Sequence, residues 1–160
     1  MNMEKPCLFC EGKYLGEQHP ELVVFEDERF YVIHSLEEET PTYLGELLTV
    51  TKRHLPSFAS LTGEEAAALG GLLTRVSAAT QAVTGASHSY TYFFGEGNKH
   101  LHIYTIARYD AMPAEYVRLA TDAWPDAPRG SAACVAKLCA RLRAHLANGA
   151  ASAPDVSSRD

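Results

Sequence analysis

Residues 98–109 read NKHLHIYTIARY, with His100, His102 and Tyr104 at alternate places and Leu101, Ile103 and Thr105 between them. An alternation of period two is the pattern of a β-strand, and it puts both imidazoles and the phenol on one face. Such a face is an active site, a metal site or the polar side of a half-exposed strand. Neutral imidazole serves as nucleophile or metal ligand near pH 7, so the residues alone leave all three open. The turn ahead of the strand, Gly95-Glu96-Gly97-Asn98-Lys99, can aim backbone N–H groups and the Lys99 ammonium at an anion, although glycines there also serve ordinary hairpin chemistry.

Working outward, the aromatic run SHSYTYFF (87–94) reads as the strand paired with 100–106 in a hairpin. Upstream, Leu22–Phe25 and Phe30–His34 read as strands around the turn Glu26-Asp27-Glu28, and Leu44–Lys52 as a third strand ending at Arg53-His54. Thr62 and Glu65 have capping-box spacing, and apolar residues at helical intervals follow, giving a long helix over 63–83. Gly70-Gly71 weakens that helix by about 1 kcal/mol per glycine relative to alanine unless close packing requires them. After Arg108 come a connector with Pro and Trp124, read as a plug, and a helix over Ala132–Ala147. Cys134 and Cys139 on it read as buried small side chains. The expected fold is α+β: a five-stranded antiparallel sheet with a long helix, plus a C-terminal helix, in one domain over 1–147 with a disordered tail over 148–160.

A chain of 160 residues holds one compact domain with a real core. A net charge of −6 leaves no basic stripe and argues against nucleic acid as the main partner. No run approaches the roughly 20 apolar residues of a membrane helix, and no apolar segment opens the chain, so a soluble cytoplasmic protein is expected. Cys7-Leu8-Phe9-Cys10 is half of a tetrahedral zinc site, or alternatively a redox pair, although no βαβ unit follows it.

HLHIYTIARY resembles the signature of the histidine triad (HIT) superfamily, His-φ-His-φ-His-φ-φ with φ apolar. CLFC, FEDERFYVIH and GELLTVTKRHLPSFASLTGEE agree with that family in order, so the likeness covers about residues 7–109. The resemblance implies a five-stranded antiparallel sheet with a long helix, often in a homodimer. It also implies a hydrolase or nucleotidyltransferase acting on a phosphorylated, nucleotide-like small molecule. The middle histidine, here His102, would attack phosphorus and carry a covalent nucleotidyl intermediate, with His100 and position 104 beside it. Backbone amides, Asn98 and Lys99 would hold the anion, and His34 and Ser35 would face the substrate. In zinc-containing members the ion sits among positions that match Cys7, Cys10, His54 and His100.

The departures are specific. Tyr104 stands in the third histidine's place, where a phenol donates a hydrogen bond but carries no positive charge. Glu46 occupies a position where many members have histidine, and a carboxylate aimed at a phosphate would repel it. Ser35 replaces the aspartate that holds the ribose. Two rival readings therefore stand beside the phosphoryl one. In the first, Glu46, Tyr104 and His102 handle protons in non-phosphoryl chemistry. In the second, the fold is a nucleotide-binding module without catalysis.

Overall fold

The structure, a computed structural model, describes residues 7–11, 18–37, 41–117, 121 and 123–149. The expected tail lies outside the described residues beyond Gly149. In chain order the elements are β1 (Val23–Glu26), β2 (Phe30–His34), β3 (Thr42–Tyr43), β4 (Glu46–Thr51), α1 (Gly63–Thr84), β5 (His88–Tyr92), β6 (His102–Arg108), β7 (Arg129–Gly130) and α2 (Ala132–Asn148). Five strands form one antiparallel sheet in the order β1-β2-β4-β6-β5. The α+β expectation therefore holds, with two helices and five main strands. A second sheet, β3 against β7, pairs Thr42 with Gly130 and Tyr43 with Arg129 and is an addition to the sequence reading.

Register decides which side chains share a face. His34 pairs with Leu47 and Leu47 with Thr105, whereas Val50 pairs with His102 and Leu48 with Tyr104. One face thus carries Leu47, Thr49, Ile103, Thr105 and Ala107, all buried. Here α1 packs on β5 and β6, while α2 packs on α1 and β1. Each fully buried leucine or valine of this core stabilises the fold by about 1.5–3 kcal/mol. The opposite face carries His102 and Tyr104, both half-buried.

The long helix starts and stops where its sequence says. Thr62 accepts from the Glu65 amide and Glu65 from the Thr62 amide, a full capping box, and Gly85 at φ 76° ends the helix in the left-handed conformation. A Cβ built on Gly70 or Gly71 meets nothing within 4 Å, so no contact among the described residues requires those glycines. Arginines join the two helices reciprocally: Arg75 Nη2 donates to the Leu146 carbonyl at 2.8 Å and Arg141 Nη2 to the Val83 carbonyl at 2.8 Å. Arg143 reaches the carbonyls of Val23 and Glu21. No helix among the described residues is long and apolar enough to cross a membrane.

The connector after β6 closes a second cluster, in which Tyr43, Ile106, Met112, Trp124 and Ala127 are buried. Trp124 is the plug expected of it. Cys139 is fully buried, but Cys134 is exposed at the start of α2 beside Ser131, contrary to the expectation of a buried side chain.

Candidate functional site

Two backbone bonds bring the turn after β4 beside the start of β6: Leu101 N–H donates to the Leu55 carbonyl at 2.6 Å and Thr51 N–H to the Leu101 carbonyl at 3.2 Å. His54 and His100 then meet edge to face at 5.1 Å. Arg53, next to His54, holds Glu65 at the start of α1 through two bonds of 2.9 and 2.6 Å, which fastens the basic turn to the helix. That pairing, with the Thr62 amide, keeps the Glu65 carboxyl at about 2.

The knuckle Cys7–Cys10 lies on these histidines. Cys7 Sγ is 3.3 Å from His100 Nδ1, Cys10 Sγ 3.2 Å from His54 Nδ1 and 3.5 Å from His100 Nδ1. The four ligand atoms lie within 4.8 Å of one another. Zinc bonds of about 2.3 Å to sulfur and 2.0 Å to nitrogen set ligand–ligand edges of roughly 3.5 Å in a tetrahedron. The four residues therefore fit a metal ion. His100 is oriented to ligate, because its Nε2–H donates to the Thr51 carbonyl at 2.6 Å and leaves the Nδ1 lone pair toward the sulfurs. Burial first, then neighbouring His54 and His102, holds its pKa below the usual value, a shift that favours the neutral, ligating form. Partial desolvation and the adjacent Cys7 push the Cys10 thiol up, a disfavour that a divalent cation removes.

His102 has the other tautomer. Its Nδ1 is 2.5 Å from the His100 carbonyl, which can only accept, so Nδ1 carries the proton and Nε2 the lone pair. Its ring is flanked by Phe9 at 5.0 Å, Phe93 edge-on at 5.7 Å and Tyr104 at 5.7 Å. Tyr104 in turn stacks on Tyr92, its cross-strand partner, at 5.2 Å and 16°. The side-chain Nδ2 of Asn98 is buried with no hydrogen-bond partner among the described residues, and Lys99 beside it is exposed.

The structure separates the remaining candidates from this group. His34 is 0% exposed and both its nitrogens are used: Nε2 accepts from the Gly45 amide at 2.9 Å and Nδ1 donates to the Ser35 carbonyl at 2.6 Å. Register puts it on the sheet face away from His102. The substrate contact expected of His34 thus has no free atom to make it, and its role is to hold the turn at Gly45. That turn needs glycine, because φ is 94° and a Cβ would stand 2.7 Å from Ala107 Cβ. Ser35 lies at the same end, its amide donating to the Glu46 carbonyl. Glu46 shares the His102 face but pairs with Ile106, four places along β6, or roughly 13 Å away.

Sequence reasoning passed over Phe9, Phe93, Thr51 and the Arg53–Glu65 pair. Phe9 sits inside the knuckle, so folding Cys7 and Cys10 around one point carries it along. Nothing in the sequence marks Thr51, whose carbonyl and hydroxyl both lie against His100 Nε2, at 2.6 and 3.2 Å.

No family model matches the sequence, nor does any curated protein. The likeness lies in structure. A hypothetical histidine triad nucleotide-binding protein from Sulfolobus tokodaii superposes with a TM-score of 0.65 at 19% identity, covering 89% of this chain and 93% of its own. The chain has the histidine triad fold. A Zn-bound histidine triad family protein from Mycobacterium smegmatis shares this fold with a TM-score of 0.62 at 19% identity, over 89% of this chain and 94% of its own. A HIT-like protein involved in cell-cycle regulation from Bartonella henselae shares it at 0.62 and 14%, over 89% and 98%.

Proposed function

We propose that the protein is a zinc-containing hydrolase or nucleotidyltransferase that acts on a phosphate anhydride, ester or phosphoramidate through His102. The observation that carries this reading is the contact of His102 Nδ1 with the His100 carbonyl at 2.5 Å, which calls for the proton on Nδ1 and leaves Nε2 its lone pair. Nε2 forms a bond to phosphorus, and the bond from phosphorus to the leaving oxygen or nitrogen breaks with its electron pair, the leaving group taking a proton from water. As positive charge develops on the imidazole, the His100 carbonyl stabilises it. Water then attacks phosphorus, or another acceptor does so in transfer, and the neutral imidazole returns. Asn98 Nδ2, Lys99 and the turn amides supply donors to the phosphoryl oxygens, and Tyr104 takes the third place with a phenol.

Cys7, Cys10, His54 and His100 would hold the zinc, whose contribution is structural: it fastens the knuckle and the start of β6. The substrate is a phosphorylated or nucleotide-like small molecule, and the protein works in the cytoplasm as a homodimer. The rival proton-handling trio is disfavoured by the offset of Glu46 from His102 along the strands.

The test is to trap the intermediate. Acid-free quenching during turnover of a nucleoside phosphoramidate or dinucleoside polyphosphate, followed by peptide mass spectrometry, is expected to show a nucleotidyl group on His102. Turnover with no adduct on His102, and undiminished turnover in His102→Asn, would sink the mechanism.

A further inference from the structure

Thr49, Thr51 and Thr105 put buried side chains into one face of the sheet, yet their hydroxyls have different fates. Oγ1 of Thr49 and of Thr105 has no hydrogen-bond partner among the described residues. Thr51, the last residue of β4, is the exception. Its Oγ1 lies 3.2 Å from His100 Nε2, 2.9 Å from the Arg53 carbonyl and 3.4 Å from the Leu101 carbonyl.

The partners assign the protons. The Thr51 carbonyl, 2.6 Å from the same Nε2, can only accept, so Nε2 carries the ring proton and Oγ1 accepts a share of it. The Arg53 and Leu101 carbonyls also only accept, so the hydroxyl proton goes to one of them, and Arg53 offers the shorter contact. One buried hydroxyl therefore receives from the ring of His100 and gives to the peptide group that leads into His54. These two residues supply both imidazoles of the cluster with Cys7 and Cys10.

An imidazole that gives its far N–H to an oxygen is a better electron donor at its other nitrogen and is held in one orientation. The Thr51 carbonyl does this for His100 alone. The hydroxyl adds a link, because it fixes the ring of one ligand and the backbone of the other against the same atom. We propose that Thr51 is a positioning residue of the metal centre, its hydroxyl setting His54 and His100 at the separation a tetrahedral zinc ion requires. The His100 carbonyl also holds His102 Nδ1, so the same fastening extends to the attacking imidazole. The inference rests on the reading of Cys7, Cys10, His54 and His100 as a zinc site.

Zinc affinity of the full chain, measured by competition with a chromophoric chelator, tests this independently of turnover. Thr51→Val keeps the shape of the side chain and removes the hydroxyl. It is expected to weaken zinc binding about tenfold or more, the usual effect of losing an outer partner of a ligating histidine. Thr51→Ser, which keeps the hydroxyl, is expected to bind zinc as the unaltered chain does. A hydroxyl that merely filled the core would lower the unfolding temperature of the metal-free and zinc-loaded forms alike, whereas the loss in Thr51→Val is expected to be larger in the zinc-loaded form. Unchanged zinc affinity in Thr51→Val, or equal weakening in Thr51→Val and Thr51→Ser, would overturn the proposal. One measurement needs no variant: long-range nitrogen–proton NMR of the zinc-loaded, unaltered chain is expected to show the His100 proton on Nε2. A proton on Nδ1 would overturn the proposal even where Thr51→Val does not fold. An unaltered chain that binds no zinc removes the zinc reading and this inference with it; equally tight binding by the unaltered chain and Thr51→Val removes the inference alone.

Discussion

His34, ending β2, and His100, just ahead of β6, lie beside opposite ends of β4, both buried, at 0% and 1% exposure, and both hydrogen-bonded to backbone. They differ in one nitrogen. At the His34 end the fold uses both, on the Gly45 amide and the Ser35 carbonyl, and the residue is a strut. At the His100 end the fold uses Nε2 and leaves Nδ1 facing two thiols. Two residues on, His102 inverts the choice and leaves Nε2. Burial does not separate His34 from His100; the unoccupied lone pair does.

The sharpest way to break that comparison is His102→Asn. It is expected to lower turnover of a nucleoside phosphoramidate by on the order of 10³-fold or more, with zinc content intact by atomic absorption. Next comes the ligand end: Cys7→Ser is expected to remove the ion and lower Tm by roughly 10 °C in a calorimetric scan, since binding free energy here is folding free energy. His34→Ala should do something different. Leaving the Gly45 amide unanswered inside a small cavity is expected to cost about 2–4 kcal/mol in urea unfolding, with the zinc stoichiometry unmoved. Zinc loss in His34→Ala with no loss of stability would reverse the two assignments.

Acid offers the finest distinction. Burial, opposed only by the Ser35 carbonyl, holds the His34 pKa at about 4 against an ordinary 6.5. Between those values the unfolded chain binds a proton that the folded one refuses. Its stabilisation is present above pH 6.5 and fades as pH falls toward 4, by on the order of 3 kcal/mol in all. Glu65 acts with the same sign in a lower window, from 4.5 down to about 2. Hydrogen exchange should therefore show the Gly45 amide losing protection at a higher pH than the Glu65 amide, and the opposite order would contradict the assignments.

Much of this is legible in the sequence, for identifiable reasons. The alternation His100-Leu101-His102-Ile103-Tyr104 announces its strand, and Thr62 with Glu65 announces the helix start, because both are local patterns. The boundaries drift by a residue or two: the expected strand over 100–106 is His102–Arg108, and Leu44–Lys52 shortens to Glu46–Thr51. Strands of two residues such as Thr42–Tyr43 carry no periodicity, so their pairing with Arg129–Gly130 leaves no trace in the chain. The four ligand positions come from a resemblance, and no spacing links Cys7 to His54. His34 misleads because a histidine at a strand end reads the same whether its nitrogens face a ligand or the backbone. The rings on His102 are a tertiary fact, since Phe9 and Phe93 are 84 positions apart.

The reciprocal arginines between the helices have a practical meaning for anyone shortening the chain. A piece stopped at Arg108 would keep every histidine discussed above and yet lose the partners of the Val83 and Val23 carbonyls, together with the apolar face of α2 formed by Val135, Leu138 and Leu142. The smallest fragment worth expressing therefore runs through Leu146, whose own carbonyl answers Arg75. A tag or fusion joint belongs after Gly149.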